Sequence, residues 1–154
     1  MKVRDVMSMA IVEVPAHATC QGAAQLMRQW GVGMLLVTKE GRELEGIITD
    51  RDLVTRCLAT ADDPAHLQVR DYMEERPTTV EADCDLERAL EVMHKTRHRR
   101  LPVTEGGKKV VGLLSIDDVA LDVRHYTDAF LSVAGQYSRR SRLLETADRR
   151  TSGS

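Results

Sequence analysis

Apolar positions along this chain fall into short runs divided by polar turns, and their spacing switches repeatedly between strand and helix periods. A run around Ile11 to Val14 predicts a short strand. The polar turn after it carries a helix-start signal at Ala18-Thr19. Ala23, Ala24, Leu26, Met27 and Trp30 then recur at helical spacing, and Gly31 is placed to end that helix. Met34-Leu35-Leu36-Val37 reads as a buried strand. The glycine-bearing turn Lys39-Glu40-Gly41-Arg42 leads into another strand from Leu44 to Thr49. Asp50-Arg51-Asp52-Leu53 opens a second helix. The predicted unit is β-α-β-β-α.

The same unit occurs twice. Val3-Arg4-Asp5-Val6-Met7 returns as Val69-Arg70-Asp71-Tyr72-Met73, an offset of 66 residues. Without any gap that offset carries Val14 to Val80, Ala23 to Ala89, Met27 to Met93 and Val37-Thr38 to Val103-Thr104. It also carries Gly41 to Gly107, Gly46 to Gly112 and Asp52 to Asp118. The second copy therefore has a strand around Thr78 to Val80 and a helix start at Asp83-Cys84-Asp85. Its helix holds Ala89, Leu90, Val92 and Met93. Strands at Leu101-Pro102-Val103 and Val110 to Ser115 follow, and a helix from Ile116-Asp117-Asp118-Val119. Units of about 60 residues bury only a marginal fraction of their surface. The halves are expected to pack sheet to sheet as a pseudo-two-fold pair. The fold class is α/β (α+β), two such repeats with a C-terminal helix. Boundaries are expected at 1–66 and 67–124, with a helical extension over 125–150 and a disordered tail over 151–154.

Composition narrows the class. Hydrophobic residues are 42% and aromatics 3%, so the core is aliphatic. A net charge of −2 argues against a general nucleic-acid binder. No apolar run resembles a signal peptide or approaches the roughly 18 residues of a membrane helix. Cys20, Cys57 and Cys84 are odd in number and irregular in spacing, which is no disulfide framework. A soluble, cytoplasmic protein of a reducing compartment is expected, with no nucleic-acid or membrane partner.

Both copies run a strand into a helix start through a hydroxyl and, three residues later, a carboxylate: Thr49 with Asp52, and Ser115 with Asp118. Such a pair has two uses. It can be a capping box that satisfies orphan backbone amides. It can also capture a ligand, with hydroxyl and amides on a phosphate and the carboxylate on ribose hydroxyls. Both copies also place a glycine, Gly46 and Gly112, ahead of it.

Residues 1 to 122 resemble a tandem pair of cystathionine-β-synthase (CBS) domains, a Bateman module. The resemblance is carried by the two Val-Arg-Asp-x-Met openings, by Gly-Val-Gly-Met-Leu-Leu-Val (31 to 37), by Arg-Arg-Leu-Pro-Val (99 to 103), and by the Gly-x-x-Thr/Ser-x-x-Asp endings at 46 to 52 and 112 to 118. It implies a non-catalytic regulatory module that binds AMP, ADP, ATP or S-adenosylmethionine between the sheets, with no required cofactor. It also implies composite clefts. Cleft one would use Thr49 and Asp52 with Thr78, Arg99 and Arg100. Cleft two would use Ser115 and Asp118 with Val12, Gly33 and Met34. On that pattern cleft one has two guanidiniums for a phosphate, with His98 adjacent, whereas cleft two offers glycine and thioether. The run Thr-Arg-His-Arg-Arg (96 to 100) also reads as a solvated basic helix end.

Other chemistry is thinner. His17 and Cys20 lie three apart with no second pair, so no metal site is expected and the cysteines read as small core residues. No nucleophile elbow, Walker loop or dinucleotide fingerprint is present. After Val119, His125-Tyr126, Phe130, Val133-Ala134 and Tyr137 suggest an amphipathic helix, and Arg139, Arg140, Arg142, Arg149 and Arg150 give it a basic end. That helix could fold back or pack across a homodimer, which is the expected state. A separate effector protein is the expected output. The competing reading is a structural or interaction protein with vestigial clefts.

Overall fold

The computed structural model describes residues 1–60, 63–122 and 134–135. The first repeat contains β1 (Glu13–Val14), α1 (Cys20–Trp30), β2 (Met34–Lys39), β3 (Glu43–Thr49) and the short α2 (Asp50–Asp52), which continues as a π-helix over Leu53–Leu58. After a connecting strand β4 (Glu74–Glu75), the second repeat contains β5 (Val80–Glu81), α3 (Leu86–Thr96), β6 (Arg100–Glu105), β7 (Lys109–Ser115) and α4 (Ile116–Leu121). The β-α-β-β-α order is present in each half. The first strands are two residues long and lie slightly later than the apolar runs that suggested them. The backbone of Val12 still accepts a bond from Leu36 N at 3.0 Å. The proposed helix over 125–150 and the tail over 151–154 lie outside the described residues, apart from 134–135.

Local chemistry explains the boundaries. The Thr19 side chain caps α1 by accepting from Gly22 N at 3.0 Å. Gly31, left-handed at φ 64°, ends it. In the second copy Arg97 stands in the same role at φ 59°. Both hairpins turn through left-handed residues, Gly41 with Arg42 and Gly106 with Gly107. Both carry a bulge at the same place, after Val37 and after Val103. Helix α1 buries Cys20, Ala23 and Met27, but Trp30 is 60% exposed. Its place in the helical spacing puts it at the helix edge rather than in the core.

One seven-stranded sheet runs β1-β2-β3-β7-β6-β5, with β4 also on β3. The halves touch within it at a single register pair, Glu43 with Lys109, supported by Leu44 N to Lys108 O at 3.0 Å. Each half has its own aliphatic core. A third cluster, Leu36, Ile47 and Val110 with Met34, Leu44 and Leu113 against it, joins the two.

The two Val-Arg-Asp openings are exchanged between the halves. Val3 is buried in the core of the second half, where Val3 N bonds Cys84 O at 2.9 Å and Arg4 N bonds Ala82 O at 3.0 Å. Val69 is buried in the core of the first half, where Val69 N bonds Ala18 O at 2.8 Å and Arg70 N bonds Ala16 O at 2.9 Å. These bonds repeat at the 66-residue offset on both donor and acceptor. Each half thus completes its core with a segment from outside its own β-α-β-β-α unit.

Candidate ligand clefts between the repeats

The hydroxyl–carboxylate pairs form capping boxes in both copies. Thr49 Oγ1 donates to Asp52 Oδ2 at 2.9 Å, Thr49 N donates to the same oxygen at 3.0 Å, and Asp52 N returns a bond to Thr49 Oγ1 at 3.1 Å. Ser115 and Asp118 repeat this at 2.7, 3.2 and 3.0 Å. Asp52 Oδ1 stands 3.9 Å from Arg56. An ionised carboxylate has about four acceptor sites, so the box does not exhaust either aspartate.

A cavity of about 200 Å³ lies where the first repeat meets the second. Thr49 enters from the end of β3, Thr78 from the segment before β5, and Arg99 and Arg100 from the start of β6. Met34, Ile47 and Pro102 supply an apolar wall, and His98 and Arg97 complete the basic rim. These four proposed residues of cleft one therefore share one cavity. Asp52 is held in its cap and does not line it.

A second cavity, of about 170 Å³, is lined by Val12, Gly33, Met34 and Leu36 of the first repeat with Arg100 and Leu113 of the second. Ser115 and Asp118 sit in their cap and do not line it. Arg100 and Met34 line both cavities. They are the same position in the two copies, 66 residues apart, at the first residue of β6 and β2. The expected division into a cationic cleft and a thioether cleft is therefore softened, because one guanidinium and one thioether reach both. Sequence spacing alone could not show this, since it follows from the pseudo-two-fold packing.

Arg99 and Arg100 stand 3.5 and 3.7 Å from the two oxygens of Asp117. All three side chains are about half exposed or more, so these ion pairs are weak. The lining also includes Glu74 and Pro77, to which nothing in the sequence pointed, and Arg97, which belongs to the basic run 96–100 and aligns with Gly31 at a left-handed helix end.

Among the described residues no group of three or more His, Cys, Asp and Glu side chains could hold a metal ion. Cys20 and Cys57 are buried, and Cys84 is half-buried. Burial, and secondarily the hydrogen bond with Cys57, push the Cys20 thiol up to about 12. No helix among the described residues is long and apolar enough to cross a membrane.

The CBS domain family model matches the chain twice, over residues 3–59 and 69–124. The chain belongs to the CBS domain family. As a CBS pair it is 34% identical over 103 residues to the uncharacterized protein MK0525 of Methanopyrus kandleri, covering 67% of this chain and 52% of that one. It thus spans about half the length of that relative. It is 32% identical over 117 residues to Hypoxic response protein 1 of Mycobacterium tuberculosis, covering 76% of this chain and 81% of that protein. The crystal structure of Hypoxic Response Protein I with two coordinated zinc ions superposes with a TM-score of 0.71 at 30% identity, over 79% of this chain and 98% of that one. The CBS domain pair of protein MJ0100, in complex with 5-methylthioadenosine and S-adenosyl-L-methionine, superposes with a TM-score of 0.69 at 21% identity, over 79% and 94%. That last likeness is one of fold.

Proposed function

We propose that this CBS pair is a non-catalytic regulatory module that binds an adenine nucleotide or related adenosyl ligand between its repeats, with the AMP, ADP and ATP class favoured. The observation that carries the reading is the cavity in which Thr49 of one repeat faces Thr78, Arg99 and Arg100 of the other. The apolar wall suits a base. The threonines suit hydroxyl or phosphate oxygens, and the guanidiniums suit a phosphate. Asp52, engaged with Thr49, keeps acceptor capacity for ribose hydroxyls. In the second cavity Val12 and Met34 give the apolar surface; Ser115 and Asp118, held in their cap outside its lining, would have to turn toward a ligand to take the role of Thr49 and Asp52. The adenosyl ligands bound by MJ0100 support the ligand class.

A ligand that bridges both repeats favours one relative arrangement of the halves. It changes a partner only by its differential affinity for the two arrangements. Output through a homodimer or a separate effector would fall to surfaces that include the 125–150 extension. The proposed boundaries are 1–66 and 67–124, with the openings exchanged.

The test is calorimetric titration of AMP and ATP against the wild type and Arg100→Ala, backed by thermal shift with AMP, ADP, ATP, NAD and S-adenosylmethionine. Saturable stabilisation, weakened by Arg100→Ala, supports the reading. The alternative, a structural or interaction protein with vestigial clefts, is favoured by the cavity sizes, both below the roughly 300 Å³ lower bound of common small-molecule pockets. No shift with any of these ligands, in protein shown by mass spectrometry to be ligand-free, would decide for it.

A further inference from the structure

A further cavity, of about 520 Å³, is neither of these clefts and shares no lining residue with them. It lies at the opposite end of β1 and β2, under the exchanged opening that brings in Arg70. Its size falls within the range of small-molecule sites.

The internal duplicate provides a control for this place. The counterpart of Arg70 is Arg4, which is quenched: its guanidinium lies 2.7 Å from Asp83 and 3.7 Å from Glu105. In the first copy those two acids are replaced by His17 and Lys39. The cavity also gains carboxylates where the second copy has none, with Glu40 in place of Gly106 and Glu45 in place of Val111. Glu45 is the extra residue of the β3 bulge, and its twin Val111 packs on the core of the second half.

Some of these charges are used locally. Glu13 accepts from Thr38 Oγ1 at 3.1 Å and pairs with Arg42 at 3.2 Å, and Lys39 pairs with Glu43 at 3.3 Å. Arg70, Glu40 and Glu45 are different. Among the described residues, none of the three side chains makes a hydrogen bond or ion pair. A simple anion would meet Arg70 but also two carboxylates, and a simple cation would meet the reverse. A ligand carrying both signs satisfies the whole lining.

We propose that this cavity binds a zwitterionic small molecule of the α-amino-acid class, its acid group forked on Arg70 and its ammonium on Glu40 and Glu45. A carboxylate matches the planar guanidinium with two parallel hydrogen bonds, and an ammonium offers three donors to carboxylates. In the twin site the cation and acids neutralise each other directly, which leaves nothing for a ligand.

The test uses the full-length, isotopically labelled chain, titrated with each of the twenty free amino acids and observed through its backbone amides. Acetate and ethylammonium, which carry one charge each, serve as controls. At least one amino acid is expected to shift the amides of Ala16, Thr38, Lys39 and Arg70 saturably, and neither control to do so at the same concentration. Arg70→Gln is expected to weaken that binding by about tenfold or more. The double change His17→Asp with Lys39→Glu copies the quenching acids of the second repeat. It is expected to abolish binding while the amide spectrum stays that of a folded chain; the exposed Lys39–Glu43 pair, whose twin is Glu105 with Lys109, is lost at small cost to stability. Arg100→Ala is expected to leave it unchanged, which separates this site from the central clefts. Saturation by none of the twenty, equal response to acetate, or affinity indifferent to both Arg70→Gln and the double change would overturn the proposal.

Discussion

A Cβ on Gly46 would stand 2.6 Å from the carbonyl oxygen of Glu74. The exchanged opening of the second repeat passes that close to β3, with Met73 Sδ 2.9 Å from the same point. At the 66-residue offset, Gly112 would meet Ser8 O at 2.9 Å and Met7 Sδ at 2.7 Å. The glycine of each Gly-x-x-Thr/Ser motif is thus a packing requirement of the opening methionine segment, not of the ligand.

Gly46→Ala is therefore expected to destabilise the fold by about 1–3 kcal/mol, the usual range for overpacking. Denaturant unfolding measures it. Trimming Met73 to Ala in the same chain should not restore stability, because the nearest obstacle is backbone. Full rescue by Met73→Ala would assign the clash to the side chain instead.

Val3 is fully buried in the core of the second half. Val3→Ala should cost about 2 kcal/mol. Hydrogen exchange should show the loosening first in α3, β6 and α4, rather than in the α1 and β2 of its own repeat. Val69→Ala should show the converse pattern. The opening is also tethered by Lys2 to Asp85 at 2.7 Å. Lys2 lowers the Asp85 carboxyl below its ordinary value, so the tether's contribution is present above that value and fades as pH falls through the depressed one.

Arg97 holds a left-handed conformation where the first repeat uses Gly31. A non-glycine residue there costs about 1 kcal/mol, and glycine returns part of that through unfolded-chain entropy. Arg97→Gly should leave the melting temperature unchanged or slightly raised, yet weaken the proposed nucleotide binding by removing a cation from the basic rim. A fall in melting temperature with unchanged affinity would assign Arg97 to the fold alone.

The Cys20 thiol, held near 12 by burial, stays protonated in the folded chain when it would ionise in the unfolded one near 9.0. Its folded value is raised, so its contribution is complete below about pH 9 and is lost as pH climbs toward 12. Burial also raises Tyr72 and acts in the same sense. Melting temperature should fall across pH 9 to 11, and less steeply in Cys20→Ala. Thiol-reactive reagents at pH 8 should modify Cys84 before Cys20 or Cys57.

Local chemistry was legible in the sequence. Thr19 and Gly31 bound α1, the hairpin glycines turn where expected, and the Thr49–Asp52 and Ser115–Asp118 boxes form from spacing alone. Those interactions close within three or four residues, so the chain order specifies them. The exposed position of Trp30 was not legible, because helical spacing gives a face but not what covers the helix end.

The sequence by itself determined a duplicated β-α-β-β-α unit with an aliphatic core, a hydroxyl–acid helix start in each copy and the resemblance to CBS pairs. Only the tertiary structure decided that the openings cross to the opposite halves and that Arg100 and Met34 share one seam. It alone set Arg70 in an open cavity while Arg4 is quenched. Those outcomes depend on groups far apart in the chain that are brought together through space, where packing and charge pairing, rather than local hydrogen bonds, choose the partner.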